Sequence, residues 1–196
     1  MFVPRSHTNL APSFPEQMGA NVSVIFGMSH PWNCAAGALI TAYAAAEVEF
    51  NLLLSAVLDI SIYEMALLVQ PYSASTRRDV FKAIVKLRLP ADDPKRDKLL
   101  NFLGRHKEAD RLRNHLAHSN WVNSDREGAF RPMYAQARDG KAKFFGVDPT
   151  EHDFTVEEVQ QVVKKLQQLI FDMRQFKKET GYYEVIQENM NRTRYD

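Results

Sequence analysis

The feature that most constrains the fold is a long segment, residues 34–59, that is dense in alanine and leucine. Both residue types favour helix, and Pro31 and Asn33 stand where the start of a helix would place them. A helix of this length and apolar content needs neighbouring elements to cover it. The segment therefore predicts a buried core helix.

One stripe within this segment recurs at alternating steps of four and three residues. Its members are Ile40, Ala44, Glu47, Asn51, Leu54 and Leu58. A stripe with this spacing is the face that a helix turns towards a core. Glu47 and Asn51 lie in its middle, so we expect two polar groups within an otherwise apolar interface.

The same segment is not expected to cross a membrane. Glu47, Glu49, Asn51 and Asp59 interrupt it, and such groups carry a heavy penalty in a lipid environment. The N-terminus has no continuous apolar run of the signal-peptide type. The single cysteine, Cys34, excludes an internal disulfide framework and suggests a reducing compartment. The sequence predicts a cytoplasmic protein with no membrane partner.

Four further helices are predicted from apolar periodicity and capping signals. Asp93 is expected as an N-cap, with Pro94 at the first helical position. Thr155 and Glu158 match a capping box. The helices are expected at residues 62–69, 75–89 and 94–117, and from Thr155 to a stop at Gly181.

The helical pattern disappears between residues 121 and 150. Asp139 and Gly140 lie there between two short runs, which is typical of a tight hairpin turn. The predicted fold is an all-α bundle of about five helices with a small β-hairpin insertion before the last long helix. Residues 1–33 are expected as an irregular lead-in, residues 34–180 as the helical domain and residues 181–196 as a polar tail.

Composition excludes some classes of function. The formal net charge of +1 argues against a broadly basic nucleic-acid coat, although a local basic site remains compatible with it. His7, His30 and His152 show no metal-ligand spacing, and the sequence has no glycine-rich phosphate loop or HExxH pattern. We therefore expect neither a metal nor a cofactor.

The fourth predicted helix also carries a polar residue on its inner stripe. Phe102, His106, Ala109, Arg113 and Leu116 recur at steps of four and three residues. Arg113 would then point towards the apolar side, where an arginine needs a partner because desolvating its charge is costly. Glu47 is the best candidate partner, with Asn51 nearby. A purely architectural ion pair between two core helices is the alternative.

His118 follows Arg113 by five residues, which corresponds to about 140° around a regular helix. The two side chains should share a site only if the helix ends near Ala117 or if they meet across a symmetric dimer. Asn114 and His118 are four residues apart and can share a face.

The run from Arg113 to Trp121, RNHLAHSNW, resembles the RN-x-x-AH-x-x-W signature of bacterial HEPN domains. The helical layout of residues 34–180, with Glu47 and Asn51 on an alanine-rich first helix, is similar to that family. Some toxin members carry a tyrosine two residues after the histidine, where this chain has Asn120, so regulation through that tyrosine is not supported.

The resemblance implies metal-independent RNA cleavage in a dimeric helical fold, with a composite site and a toxin–antitoxin or phage-defence setting. Arg113 would bind the scissile phosphate, which suits a planar guanidinium. His118 would act as general acid or base, since imidazole titrates near neutral pH. Asn114 would orient the histidine or contact phosphate, with Glu47 and Asn51 in support.

Two other residues are candidates for RNA contact. Arg111 belongs to a locally basic stretch, which also describes an ordinary solvated helix face. Trp121 could stack on a base, although a tryptophan at a helix end is more often a packing anchor. Two non-enzymatic functions compete with the ribonuclease: a catalytically silent HEPN bundle that binds RNA, nucleotide or protein, and a structural dimerisation domain.

Overall fold

A computed structural model describes residues 30–138, 141–145 and 153–192, without the side chains of 134–138, 141–145 and 192. It is mostly helical, as the sequence predicts. The helices are α1 (Pro31–Leu58), α2 (Ile62–Val69), α3 (Ala74–Arg88), α4 (Pro94–His118), α5 (Val156–Glu179) and α6 (Tyr182–Arg192). The strands are β1 (Asn120–Asn123), β2 (Ala129–Arg138), β3 (Lys141–Phe145) and β4 (Phe154–Thr155). Residues 1–29 of the predicted irregular lead-in lie outside the described residues. His30 is the N-cap of α1, and the prediction is wrong for residues 31–33, which belong to α1.

Capping residues fix where the helices begin. The Asp93 side chain accepts a hydrogen bond from the Lys95 backbone N–H, and Pro94 occupies the first helical position. Thr155 and Glu158 form the expected reciprocal capping box, which starts α5. Both predictions are confirmed, and both caps satisfy backbone groups that would otherwise lack partners.

α1 is the central helix and packs against all five other helices. Its buried face includes Leu39, Tyr43, Ala46, Phe50 and Leu53. The stripe predicted from the sequence is therefore displaced by about one residue: Ile40 and Ala44 are exposed, although Leu54 is buried as predicted. An error of one residue rotates the predicted face by about 100°.

The buried acidic residue of α1 is Glu49. One carboxylate oxygen accepts a hydrogen bond from Lys177 Nζ at 2.5 Å, and the other accepts one from Arg174 Nε at 2.6 Å. Glu49 and Lys177 are both buried, so their ion pair joins α1 to α5 in the interior of the bundle. By length and composition, α1 is the one described helix that would be apolar enough to cross a membrane. Its packing is that of the core helix of a bundle.

The segment between α4 and α5 forms an antiparallel sheet in which β2 pairs with β1, β3 and β4. Arg138 pairs with Lys141, which leaves a two-residue connection at 139–140. The predicted hairpin is confirmed, although the turn itself lies outside the described residues. β1 and β4 were not predicted. β1 follows the end of α4 and β4 leads into α5, so they attach the hairpin to the bundle.

The prediction of a polar tail after Gly181 is wrong for residues 182–192, which form α6. Gly181 has a φ of 76°, a conformation that suits glycine, and it separates α5 from α6 as a helix stop should. Tyr182, Ile186 and Asn189 are buried, at steps of four and three residues. Asn189 Nδ2 donates a hydrogen bond to the backbone oxygen of Ile60 at 3.2 Å, which ties α6 to the end of α1.

Candidate functional site

The C-terminal end of α4 forms one wall of an open cleft of about 350 Å³. The helix includes both Arg113 and His118, and Ser119 is its C-cap. Both side chains line the cleft within a single chain, together with Asn114. This meets one of the two conditions set from the sequence, a helix end close to Ala117, and the dimer stays a prediction. The remaining lining residues are Tyr43, Glu47, Ser73, Ala74, Ser75, Arg77 and Asp110.

Arg113 has different neighbours from those predicted. Its guanidinium carbon lies 5.5 Å from the centre of the Tyr43 ring, and its Nη1 donates to Asn114 Oδ1 at 3.1 Å. The predicted ion pair with Glu47 is wrong, because Glu47 Oε1 lies 3.1 Å from a guanidinium nitrogen of Arg77. Within the described part of the chain, Arg113 makes no ion pair with a carboxylate. Its positive charge is thus available to an anion in the cleft.

The start of α3 forms the opposite wall, which sequence reasoning did not connect with the motif. Ser73 is the N-cap, and its hydroxyl accepts a hydrogen bond from the Thr76 N–H. The first turn of a helix carries unpaired N–H groups and a partial positive charge, which favour a bound anion. The only sequence signal for this wall was a serine after Pro71 at the beginning of a helix.

Asp110 also lines the cleft, and the charge of Arg78 balances its own. It accepts hydrogen bonds from the Tyr43 hydroxyl at 2.7 Å and from an Arg78 Nη at 2.9 Å. Burial raises the pKa of Asp110, but the hydrogen bonds from Arg78 and Tyr43 outweigh it and hold that pKa below its ordinary value. Burial and the hydrogen bond to Asp110 raise the pKa of Tyr43. Asp110 therefore remains ionised and Tyr43 remains protonated at neutral pH.

His106 lies beneath this network and has a structural environment. Its ring centre is 4.5 Å from that of Tyr43 and 5.0 Å from that of Phe50, and neither ring nitrogen has a hydrogen-bond partner among the described residues. Burial, with a smaller contribution from the charge of Arg78, lowers the pKa of His106 to about 4. The side chain is neutral under physiological conditions. Asn51 lines a small cavity beside His106 and is not part of the cleft wall.

Lowering the pH should destabilise the folded chain, because His106 is buried in its neutral form. In the unfolded chain its pKa is near 6.5, so between pH 6.5 and 4 the unfolded state binds a proton that the folded state excludes. The free energy of unfolding is therefore highest above pH 6.5 and decreases by up to about 3 kcal/mol as the pH is lowered to 4. Urea titrations across this range should show the loss, and His106→Phe should remove most of this pH dependence. An equally steep dependence in the variant would contradict the assignment.

Trp121 is held by other aromatic rings. Its ring centre lies 4.7 Å from that of Trp32 and 6.3 Å from that of Phe154, and its buried Nε1 has no hydrogen-bond partner in the part of the chain that the structure describes. These contacts favour the packing alternative over base stacking. Arg111 is exposed on α4 and does not line the cleft, so its contact with RNA stays a prediction. Among the residues that the structure describes, no group of three or more His, Cys, Asp or Glu could hold a metal ion.

Trp121→Leu should separate these two roles. Loss of the aromatic packing is expected to lower the free energy of unfolding by about 1–3 kcal/mol. RNA affinity should be unchanged at a temperature where the variant is fully folded. Chemical denaturation and fluorescence anisotropy with labelled RNA measure the two quantities. A large loss of affinity in the folded variant would restore Trp121 as an RNA contact.

No family model, curated protein or solved structure matches the chain. The similarity to HEPN domains consequently stays a resemblance carried by Arg113, Asn114, His118 and the residues around them.

Proposed function

We propose that this protein is a metal-independent endoribonuclease of the HEPN type. The observation that carries the proposal is the shared cleft: Arg113, Asn114 and His118 line it opposite the start of α3. The cleft is open to solvent, and His118 is exposed. A sealed and dry cluster would instead have favoured a purely architectural role.

Positive charge in the cleft suits a phosphodiester. Glu47 is paired with Arg77, and Asp110 is paired with Arg78, so neither carboxylate competes strongly with a phosphate. Arg113 is then the cation that contacts the scissile phosphate, and the first turn of α3 contributes N–H groups. Tyr43 holds the Arg113 guanidinium by a cation–π contact, and Asn114 accepts one of its hydrogen bonds. These contacts preorganise Arg113 for binding.

His118 supplies the proton transfer. As a base it removes the proton of the RNA 2′-hydroxyl, and the 2′-oxygen forms a bond to phosphorus. The bond between phosphorus and the 5′-oxygen breaks, and that oxygen leaves with a proton from His118. The products are a 2′,3′-cyclic phosphate and a 5′-hydroxyl. DNA lacks the 2′-hydroxyl and is not a substrate.

The experiment is an incubation of the purified chain with a mixed RNA pool and with DNA of the same length, each with and without EDTA. Cleavage of RNA that persists in EDTA, with DNA intact, supports the proposal. Binding of RNA with no cleavage would point to the catalytically silent bundle. Cleavage that EDTA abolishes would contradict the metal-independent mechanism.

The cytoplasmic location, the homodimer and the antitoxin or other protein partner remain proposals that rest on the sequence and on the resemblance. Sedimentation at rising protein concentration tests the homodimer, which predicts a species of twice the chain mass. A single-chain mass at all concentrations at which RNA is cleaved would show that one chain carries a complete site.

A further inference from the structure

A second surface groove runs between α3 and α4 and has a volume of about 580 Å³. Its basic residues are Lys82 and Lys86 on α3 and Lys107 on α4, and we call it the lysine groove. Asp79 is the acidic side chain that lines it, and Arg78 is committed to Asp110. The groove therefore carries a net positive charge in a chain whose total charge is close to zero.

The three lysines are exposed, and none forms an ion pair with another residue in the described ranges. Glu108, the acidic neighbour of Lys107 in the sequence, is paired with Lys165 on α5. The lysine charges are thus available to an external anion. Lysine side chains are flexible, so they suit the successive phosphates of a polymer better than a single rigid ligand.

The lysine groove adjoins the cleft. Ser75 lines both, and the Arg78–Asp110 ion pair forms the partition between them. From Ser75 to Lys86 the axis of α3 extends for about 16 Å at the helical rise of 1.5 Å per residue. An extended anionic chain bound at Arg113 can therefore continue past Ser75 and follow α3.

We propose that the lysine groove binds the phosphate backbone of the single-stranded RNA that continues from the cleft. This inference rests on the proposed function for the identity of the polymer. No aromatic side chain lines the groove in the part of the chain that the structure describes. Recognition is then through phosphates and is independent of base sequence.

Charge neutralisation tests the groove. Lys82→Gln/Lys107→Gln removes two positive charges from its opposite walls, and Lys164→Gln/Lys178→Gln removes two from exposed positions on α5. Both pairs are compared in full-length protein carrying His118→Ala, so that bound RNA is not consumed. The probe is a labelled single-stranded RNA of about 20 nucleotides with mixed sequence, followed by anisotropy over a range of salt concentrations.

The groove pair should bind RNA about 25-fold more weakly at 0.1 M salt, with the slope of log affinity against log salt reduced by about 1.4. The α5 pair should match the His118→Ala parent. Equal affinities for the two pairs would overturn the proposal. The proposal would also be overturned if the groove pair bound RNA as tightly as the parent but no longer bound an acidic protein that the parent binds.

Gly104 allows an independent steric test, because it lines the groove on α4 and a Cβ at this position meets no atom within 4 Å. Gly104→Leu adds an apolar side chain on the groove wall at a position where the Cβ itself has open space. Gly37→Leu is the matched control, since Gly37 is also an exposed helical glycine with open space around its Cβ. RNA binding should fall only for Gly104→Leu. If RNA binding fell in both variants or in neither, the proposal that RNA binds in this groove would be contradicted.

The two proposals fail in different ways. If the unchanged chain cleaves no RNA but the groove variants lose RNA affinity, the ribonuclease is wrong and the groove stands. If RNA is cleaved and the groove variants bind as tightly as the α5 pair, the groove is wrong and the ribonuclease stands.

Discussion

A His118→Ala protein is expected to cleave RNA about 10²–10⁴-fold more slowly than the unchanged chain, because the cleft loses its proton-transfer group. The fold should be retained, since His118 is exposed at the last position of α4. Single-turnover cleavage of a labelled RNA, together with thermal unfolding of the same preparation, measures both effects. The unfolding free energy should change by less than about 0.5 kcal/mol.

His115→Gln is the matched control for this substitution. His115 lies one turn before His118 on α4 but does not line the cleft, and its ring is 6.5 Å from that of Phe154. Its cleavage rate should stay near that of the unchanged chain. Equal loss in the two variants would show that the helix end, and not the chemistry of His118, is required. Full activity in His118→Ala would remove His118 from the mechanism.

The second large effect concerns stability. Glu49→Leu should lower the free energy of unfolding by about 3–5 kcal/mol, because it leaves the buried Lys177 ammonium without its partner. The side chains of this pair are only 6% and 7% exposed, so solvent cannot compensate for the loss. The double variant Glu49→Leu/Lys177→Met replaces both charges with apolar groups and should recover most of the stability. Urea unfolding measures both variants.

An exposed pair gives the control. Glu108 and Lys165 are also joined by a short contact, but both side chains are about 60% exposed, so Glu108→Ala should cost less than about 1 kcal/mol. A double variant no more stable than Glu49→Leu would show that apolar side chains do not fill the site. The result bears on function, because this ion pair anchors α1, which contributes Tyr43 and Glu47 to the cleft.

Local signals in the sequence predicted most of the helices. Capping chemistry at Asp93 and Thr155 acts within one turn, and Gly181 stops a helix through its own backbone, so each can be read without knowledge of the fold. The 139–140 hairpin is equally local. α6 was missed because charged and amide residues outnumber its buried positions. Its buried set, Tyr182, Ile186 and Asn189, has helical spacing, but the hydrogen bond that Asn189 donates to Ile60, in the connection after α1, depends on the tertiary fold.

The candidate site was predicted only in part, because local sequence patterns do not specify how distant elements pack together. Arg113, Asn114 and His118 form one sequence motif, and the structure brings them to one cleft. The partner of Glu47 is set by the position of α3 relative to α1, which no local pattern specifies. The phase error on α1 made Arg113 look like that partner, whereas Arg77 holds the carboxylate.

The most direct test of the proposed ribonuclease is the chemical identity of the RNA ends that the unchanged chain produces in EDTA. Transesterification through His118 predicts a 2′,3′-cyclic phosphate and a 5′-hydroxyl, read by mass spectrometry of a short RNA of defined sequence. The same ends should be missing from the His118→Ala reaction. A 3′-hydroxyl with a 5′-phosphate, or the same cyclic ends at the same rate from His118→Ala, would contradict the account.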